Sequence, residues 1–259
     1  MATMSEPPES RLSRPMDLGA ILDGSFSLYR RYFVVLVGSI GILLVPLALL
    51  AIALGPVALG LTYIAGLITP GIGALVASDV AVGRQPTIGG IWSRMAPLVI
   101  PLVLTGLLVL LTVIVGFVLL IVPGVLFLVW FSLSSQALVM ENRRYTAAMG
   151  RSRRLVKGSW WRVLGILLVV AIVTGIAQQL VETLVVSLLG VVGVGDGTSI
   201  FNTTSNGASQ ITSVSRVLGT TIGTVLVGPI SALASALLYF DLRLRKEGTD
   251  IAAAVDALD

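Results

Sequence analysis

The residue types in this chain limit the chemistry that it could perform. Its 259 residues include no histidine and no cysteine, so the commonest general base, the commonest metal ligand and any thiolate nucleophile are missing. The glycine-rich stretch 190–197 (GVVGVGDG) lacks the Lys-Ser/Thr pair that completes a phosphate-binding loop. These absences predict a protein that is not an enzyme and that holds neither a cofactor nor a metal ion.

One cluster of polar residues lies inside a long apolar stretch, at Gln178, Gln179 and Glu182. On a helix, Glu182 comes four residues after Gln178 and three after Gln179, so all three can share one face. An ionisable residue inside a membrane span is a candidate for function, yet Glu182 lies roughly 9 Å beyond the middle of its stretch. Two interpretations follow: a substrate or proton site within the membrane, or a glutamate that extends to the membrane surface.

A second group combines basic and tryptophan side chains around 147–161. On a helical wheel one arc is basic, and the opposite arc is small or apolar and contains Ala148, Ser152, Leu155 and Val156. Such a helix lies at the level of the lipid headgroups, and each basic residue near an anionic surface contributes roughly 1 kcal/mol. The helix either only anchors the topology or recognises anionic headgroups or an acidic partner. The candidate contacts are Arg151, Arg153, Arg154, Lys157, Trp160 and Trp161.

The overall composition indicates that lipid is the solvent of most of this chain. Hydrophobic residues make up 56% of it and charged residues 12%, whereas a soluble domain has about 25% charged residues. The net charge of +4 would suggest nucleic acid for a soluble protein. Here the basic residues flank apolar stretches, so we expect the lipid bilayer and anionic phospholipid headgroups as partners, and no nucleic acid.

Six apolar stretches are each close to the ~20 residues that cross ~30 Å of hydrocarbon. The sequence therefore predicts an all-α, polytopic integral membrane protein with six transmembrane helices arranged as three hairpins. Gly55-Pro56 and Pro123-Gly124 mark the turns of the first two hairpins. The predicted spans are 33–54, 60–82, 98–120, 123–140, 163–189 and 217–240.

The distribution of charge supports an even number of spans. Sixteen of the seventeen Lys and Arg residues lie in the N-terminal region, in 83–96, in 141–162 or after Phe240, and six spans put all four regions on one side. Arg216 is the exception. Because positive residues favour the cytoplasmic side, we expect a multi-pass protein of the cytoplasmic membrane with both termini in the cytoplasm.

The same pattern divides the chain into regions. The polar residues 1–14 are expected to be a disordered cytoplasmic N-terminus, followed by an uncleaved first span. Residues 15–247 are expected to form the six-span membrane domain, with a flexible external loop at 191–215 rich in Gly, Ser, Thr and Asn. Residues 248–259 are expected to be a cytoplasmic C-terminal tail.

A threefold pseudo-repeat with a period of about 64 residues is also predicted. Segments 19–33, 83–97 and 147–161 align without gaps, and each leads into an apolar hairpin. The unit would be an amphipathic interfacial helix followed by two spans, although chance similarity among amphipathic segments is the alternative. Asp79, Glu141 and Asp241 end the second span of each hairpin, where they either pair with basic residues or together build a polar ring.

The first interfacial helix is predicted at 15–32. A helical wheel places Asp23, Arg30 and Arg31 on its polar side. Asp17 is expected in its first turn, where a negative charge is favourable. The opposite side, expected to be the apolar face, carries Leu18, Leu22, Ser25, Phe26 and Tyr29.

Two separated motifs give this chain a family resemblance. Residues 148–162 follow the pattern A-x-x-R-S-x-x-L-V-K-G-x-W-W-R, and residues 239–248 read YFDLRLRKEG. With the Pro-Gly turn before the aromatic fourth span, they resemble the membrane domain associated with bacterial glycerophosphoryl diester phosphodiesterases and related uncharacterised six-span bacterial membrane proteins. The resemblance covers most of residues 15–251.

The resemblance implies a membrane part without catalytic residues. In the fused proteins the phosphodiesterase chemistry belongs to a separate soluble barrel that uses histidines and metal-binding carboxylates, and this chain has no histidine. We expect a non-enzymatic protein of the bacterial envelope, a scaffold or accessory for membrane lipid or for partner proteins through its basic interfacial helices. The protein partner would be another membrane protein or a second copy of this chain in a homo-oligomer. The alternative is a small transporter or flippase-like protein with a polar site on the fifth span.

Overall fold

The computed structural model describes residues 16–54, 64–191 and 214–256, and this part of the chain is helical without strands. The predicted N-terminus 1–14, the turn at Gly55-Pro56 and most of the predicted external loop lie outside the described residues. The helices are α1 Leu18–Arg31, α2 Phe33–Leu54, α3 Thr69–Ala81, α4 Ile88–Met95, α5 Val99–Leu119, α6 Ile121–Phe131, α7 Ser134–Glu141, α8 Thr146–Val156, α9 Trp160–Val191 and α10 Val214–Asp256.

Six helical segments are long and apolar enough to cross a membrane, which confirms the predicted all-α, six-span architecture. Several boundaries differ from the prediction, most clearly in α10, which continues sixteen residues beyond the predicted end of the last span at 240. The segments are Phe33–Ala53, Ile64–Ala81, Ile88–Leu119, Ile121–Glu141, Trp160–Val191 and Val214–Glu247.

The spans form an inner and an outer layer. In the second and sixth spans, 67% of the residues in the apolar 18-residue window are buried inside the protein. In the third and fifth spans only 17% of that window is buried. The helix α10 packs most extensively on α9 and also contacts α3, α1 and α2. The second helix of a hairpin therefore tends to lie inside, and the first helix presents its apolar side chains outward, as a lipid solvent requires.

The fourth span is broken into α6 and α7, a feature that the sequence analysis did not predict. Ser152, fully buried on α8, fills the break: its hydroxyl accepts from the Leu133 N–H at 3.1 Å and donates to the Trp130 carbonyl at 2.7 Å. A broken helix is tolerated at membrane depth only where other groups satisfy its freed backbone. The amphipathic helix α8 is thus part of the fourth span's structure.

The helices α1 and α8 precede the first spans of their hairpins, as the predicted unit requires, whereas α4 lies inside the segment Ile88–Leu119. The buried face of α8 is Ala148, Ser152, Leu155 and Val156, which confirms the wheel for that helix.

The wheel for α1 was wrong in part. Its buried residues are Ile21, Ser25 and Leu28, whereas Leu18 and Phe26 are exposed. The reason is that the apolar side of α1 has two environments. One part packs on α10, where the Tyr29 hydroxyl donates to the Leu226 carbonyl at 2.7 Å, and the rest faces away from the protein.

The position of Asp17 also differs from the prediction. It precedes α1 as its N-cap, where its side chain accepts from the Ala20 N–H at 2.8 Å, instead of lying in the first turn.

Candidate functional site at the basic end of the bundle

The three acidic residues of the predicted repeat are all paired with arginines. At the first, Arg94 of α4 approaches Asp79 of α3 in a bidentate arrangement, in which Nη1 donates to Oδ1 at 2.7 Å and Nη2 donates to Oδ2. The carboxylate of Asp79 is buried, whereas Arg94 is partly exposed. A planar guanidinium that binds both carboxylate oxygens fixes the geometry as well as the charge. This pair connects the first hairpin to α4, at the beginning of the second unit.

The second acid, Glu141 at the end of α7, is the centre of a larger network. Its carboxylate accepts from Arg151 Nε at 2.8 Å, from Arg143 Nε at 2.9 Å and from the Tyr239 hydroxyl. Arg151 on α8 also donates to Glu247 of α10. Burial opposes the charge on Arg151, but the hydrogen bonds to Glu141 and Glu247 outweigh it and raise the pKa of the guanidinium.

The third acid, Asp241, is fully buried with 0% exposure. It accepts from Arg162 Nη1 at 2.6 Å, from Arg245 Nε at 3.0 Å and from the Met16 N–H at 2.7 Å. Arg162 also donates to the Met16 carbonyl. Asp241 therefore holds the beginning of α9, the end of the last span and the chain just before α1 in one place.

The three contacts follow one rule. Each acid ends the second span of one unit and contacts the segment that opens the next unit: Asp79 contacts Arg94, Glu141 contacts Arg151, and Asp241 contacts Met16 of the first unit. The series closes on itself, as expected for parallel units arranged around an axis along the membrane normal. We call the end of the bundle that carries these contacts the basic end.

The two sequence motifs behind the family resemblance meet at the basic end. Arg151 binds Glu247, and Arg162 binds Asp241, so residues 148–162 and 239–248 form one structural unit. Lys246 donates to the carbonyl of Arg154 at 2.6 Å and to that of Lys157, where a cation complements the C-terminus of α8.

No protein-family model, curated protein or solved structure matches this chain. Within the described ranges, no group of three or more His, Cys, Asp or Glu residues could hold a metal ion.

The predicted basic contact residues divide into two groups. Arg151 is only 16% exposed and is committed to two carboxylates, so its role is structural. Arg153, Arg154 and Lys157 are exposed on the outer side of α8. The guanidinium of Arg153 lies 4.4 Å from the centre of the Trp130 ring, a cation–π contact.

The two tryptophans open α9 beside this surface. Trp161 is 79% exposed and packs edge-on against Trp160, with 4.7 Å between the ring centroids. Trp160 is partly buried. An exposed tryptophan at the end of a membrane span is typical of the headgroup level. We call Arg153, Arg154, Lys157 and Trp161 the basic face.

The predicted polar cluster of the fifth span is divided between two sides of α9. Gln178 and Glu182 are partly buried, and a Cβ on Gly219 of α10 would lie 3.3 Å from Glu182 Cγ. The Gln178 amide donates to Thr224 of α10 at 2.9 Å, whereas Gln179 lies on the exposed side of α9. Glycines of α10 pack closely at this level: a Cβ at Gly223 would lie 3.2 Å from the Gln178 carbonyl oxygen, and one at Gly219 would lie 3.1 Å from that of Glu182. Glycines four residues apart allow two membrane helices to approach closely.

Two polar residues with structural roles were missed in the sequence analysis. Tyr239 is fully buried and donates to Glu141, and Gln136 is fully buried in the fourth span. A glutamine in an apolar stretch is itself a signal, because polar groups inside a membrane need partners. The partner of Gln136, Ser235, lies 99 residues away.

Proposed function

We propose that this chain is a non-enzymatic protein of the bacterial cytoplasmic membrane that gathers anionic phospholipid headgroups at its basic end, as a scaffold or accessory for membrane lipid and for partner proteins. Both termini would lie in the cytoplasm. The observation that supports this is that the basic residues at α8 have two different environments. The ion pairs of Arg151 fix the helix, while Arg153, Arg154 and Lys157 are left exposed beside Trp161.

Positive charge and exposed aromatic surface coincide at the basic face. A tryptophan at the headgroup level sets the depth of the helix end. The three basic side chains of the basic face then lie where an anionic surface attracts each of them by roughly 1 kcal/mol. The resemblance of residues 148–162 and 239–248 to a phosphodiesterase-associated membrane domain fits the same proposal. Such a membrane domain would work beside a catalytic protein supplied separately.

We expect the triple variant Arg153→Gln, Arg154→Gln, Lys157→Gln to lose most of its preference for anionic lipid. Three lost attractions of roughly 1 kcal/mol each correspond to a decrease on the order of 100-fold at low salt. The measurement is native mass spectrometry of protein released from nanodiscs of equal phosphatidylglycerol and phosphatidylcholine, with the ratio of the two retained lipids as the readout.

The matched control is Arg216→Gln, which removes an exposed arginine at the other end of the bundle. It should leave the lipid ratio unchanged. If the triple variant keeps the wild-type ratio, or if Arg216→Gln lowers it equally, the proposal for the basic face is wrong.

The alternative function is transport through the fifth span. It is supported by Glu182, a partly buried carboxylate on a membrane helix with no ion pair among the described residues. We expect Glu182→Gln to leave both the lipid ratio and the permeability of proteoliposomes to protons unchanged, as measured with a trapped pH-sensitive dye. A proton flux in the wild type that disappears in Glu182→Gln would instead establish the alternative.

A further inference from the structure

A cavity of about 360 Å³ lies between α9 and α10. It is lined on α9 by residues from Ile166 to Gln178 and on α10 by residues from Ser231 to Leu238. This cavity is separate from the basic face, so the inference drawn from it does not depend on the function proposed above.

The cavity opens to the side of the bundle. Ala171 and Gly175, both in its lining, are exposed on the surface of α9. A Cβ placed on Gly175 would meet no atom within 4 Å. Because both helices are membrane spans, the opening faces the hydrocarbon of the bilayer, and whatever enters it comes from the lipid phase.

The lining is partly polar, and it offers acceptors more than donors. The hydroxyls of Thr174, Ser231 and Ser235 donate to carbonyls of their own helices at 2.7, 2.9 and 2.9 Å. Each hydroxyl hydrogen is thus already used, while oxygen lone pairs remain available. A ligand that brings a hydrogen-bond donor therefore matches these three hydroxyls.

A buried glutamine behind the lining supports the same conclusion. The side chain of Gln136 donates through Nε2 to Ser235 at 2.7 Å, and its Oε1 has no hydrogen-bond partner within the described part of the chain. Gln136 is fully buried. A buried acceptor without a partner is uncommon in a folded protein, and here it lies next to a residue of the cavity wall.

The depth of the cavity and its lack of charged residues favour a lipid without a phosphate group. Ser235 lies six residues before Asp241, which is about 9 Å along the helix from the ion pairs of the basic end. None of the lining residues is charged. Bringing a phosphate to this depth without a cationic partner would be costly, whereas a neutral hydroxyl could reach it.

We propose that this cavity binds a neutral lipid that carries a free hydroxyl group, of the diacylglycerol class. The hydroxyl donates to the acceptors around Ser231 and Ser235, and the acyl chains lie along the exposed side of α9. The site is a lipid-binding site inside the membrane, distinct from any contact of charged headgroups with the basic face.

The test uses a photo-crosslinkable diacylglycerol with a diazirine in one acyl chain and the full chain in phosphatidylcholine nanodiscs. We expect labelled peptides to come from 166–178 and 231–238. Excess dioleoylglycerol should remove the labelling, whereas its O-acetyl derivative, which lacks the donor, should not. A phosphatidylcholine probe with the same diazirine chain should not label these peptides selectively.

Two glycines on one helix give a matched pair of variants. Gly175→Leu fills the cavity and should lower labelling about tenfold, as expected when a side chain occupies a binding volume. Gly165→Leu also enters open space but lies outside the lining, so it should label like the wild type. The variant Ser231→Ala with Ser235→Ala removes both acceptors named in the proposal with little change in volume, and it should abolish the advantage of dioleoylglycerol over its acetate.

Three outcomes would overturn the proposal. One is equal labelling by the diacylglycerol and phosphatidylcholine probes, which indicates ordinary contact with surrounding lipid. Another is equal competition by dioleoylglycerol and its acetate, which removes the role of the hydroxyl. The third is unchanged labelling in Gly175→Leu, provided that its thermal midpoint matches that of Gly165→Leu.

Discussion

The Asp241→Ala variant is expected to be less stable than the wild type by about 3–5 kcal/mol, the cost of breaking a buried ion pair by removing one partner. Asp241 is fully buried and receives hydrogen bonds from Arg162, Arg245 and the Met16 N–H. Its loss leaves two guanidinium groups facing each other without their shared carboxylate. It also removes the hydrogen bond that holds the Met16 N–H, so we expect the basic end to open.

The measurement is the thermal midpoint in lipid nanodiscs, followed by intrinsic fluorescence of the four tryptophans. Glu247→Gln is the control, because Glu247 is 40% exposed and Arg151 keeps Glu141 as a partner. Exposed pairs of this kind contribute about 0–1 kcal/mol. A midpoint for Asp241→Ala as close to the wild type as that of Glu247→Gln would contradict the assigned role.

A double variant separates charge from packing at this site. Replacing Arg162 with Met in the Asp241→Leu background removes one of the two guanidinium charges that lose their shared carboxylate. Because apolar replacement of a whole buried pair is often nearly neutral, the double variant should recover part of the lost stability. If it is the sum of the two single effects, the two residues are not coupled.

Gly73→Ala is expected to have the second largest effect. A Cβ on Gly73 would lie 2.6 Å from the Cβ of Ala232 and 2.7 Å from its carbonyl carbon. The obstacle is backbone, so no rotamer change can relieve it, and α3 must move away from α10. Overpacking in a core costs about 1–3 kcal/mol and occasionally more, and we expect the upper part of that range.

Gly66→Ala is the matched control for this change. Gly66 lies in the same span, and a Cβ there would meet no atom within 4 Å. An alanine in a helix is favoured over glycine by roughly 0.5–1 kcal/mol, so the thermal midpoint should stay the same or rise. Equal midpoints for Gly73→Ala and Gly66→Ala would show that α3 and α10 do not approach as closely as described.

The number of spans and the segregation of charge could be predicted from the sequence because both are local properties. A run of about 20 apolar residues forms a transmembrane helix in a bilayer, and Lys or Arg at its ends sets its orientation. The rule that connects Asp79 to Arg94 and Glu141 to Arg151 was not predicted, because each acid has more than one arginine near it in the sequence. Only the packing of α4 and α8 selects the partner.

Two further features depend on three-dimensional context. The two residues at the break between α6 and α7 are Ser132 and Leu133, so neither a proline nor a glycine marks it in the sequence. The break is stabilised by Ser152 from another helix. The wheel for α1 was wrong in part because an apolar residue in a membrane protein can face either the protein or the lipid. Hydrophobic periodicity does not distinguish these two environments.

In the proposed orientation the basic end, with its exposed basic face, lies on the cytoplasmic side of the membrane. The chain contains no cysteine, so single-cysteine variants can be labelled without background. The most direct measurement is the reaction of Arg144→Cys and Ser205→Cys with a membrane-impermeant maleimide in intact cells. Arg144 lies at the basic end between α7 and α8, and Ser205 lies in the polar segment that joins α9 and α10.

We predict labelling of Ser205→Cys in intact cells and of Arg144→Cys only after the membrane is opened. Labelling of Arg144→Cys in intact cells would contradict the orientation on which the proposed function rests.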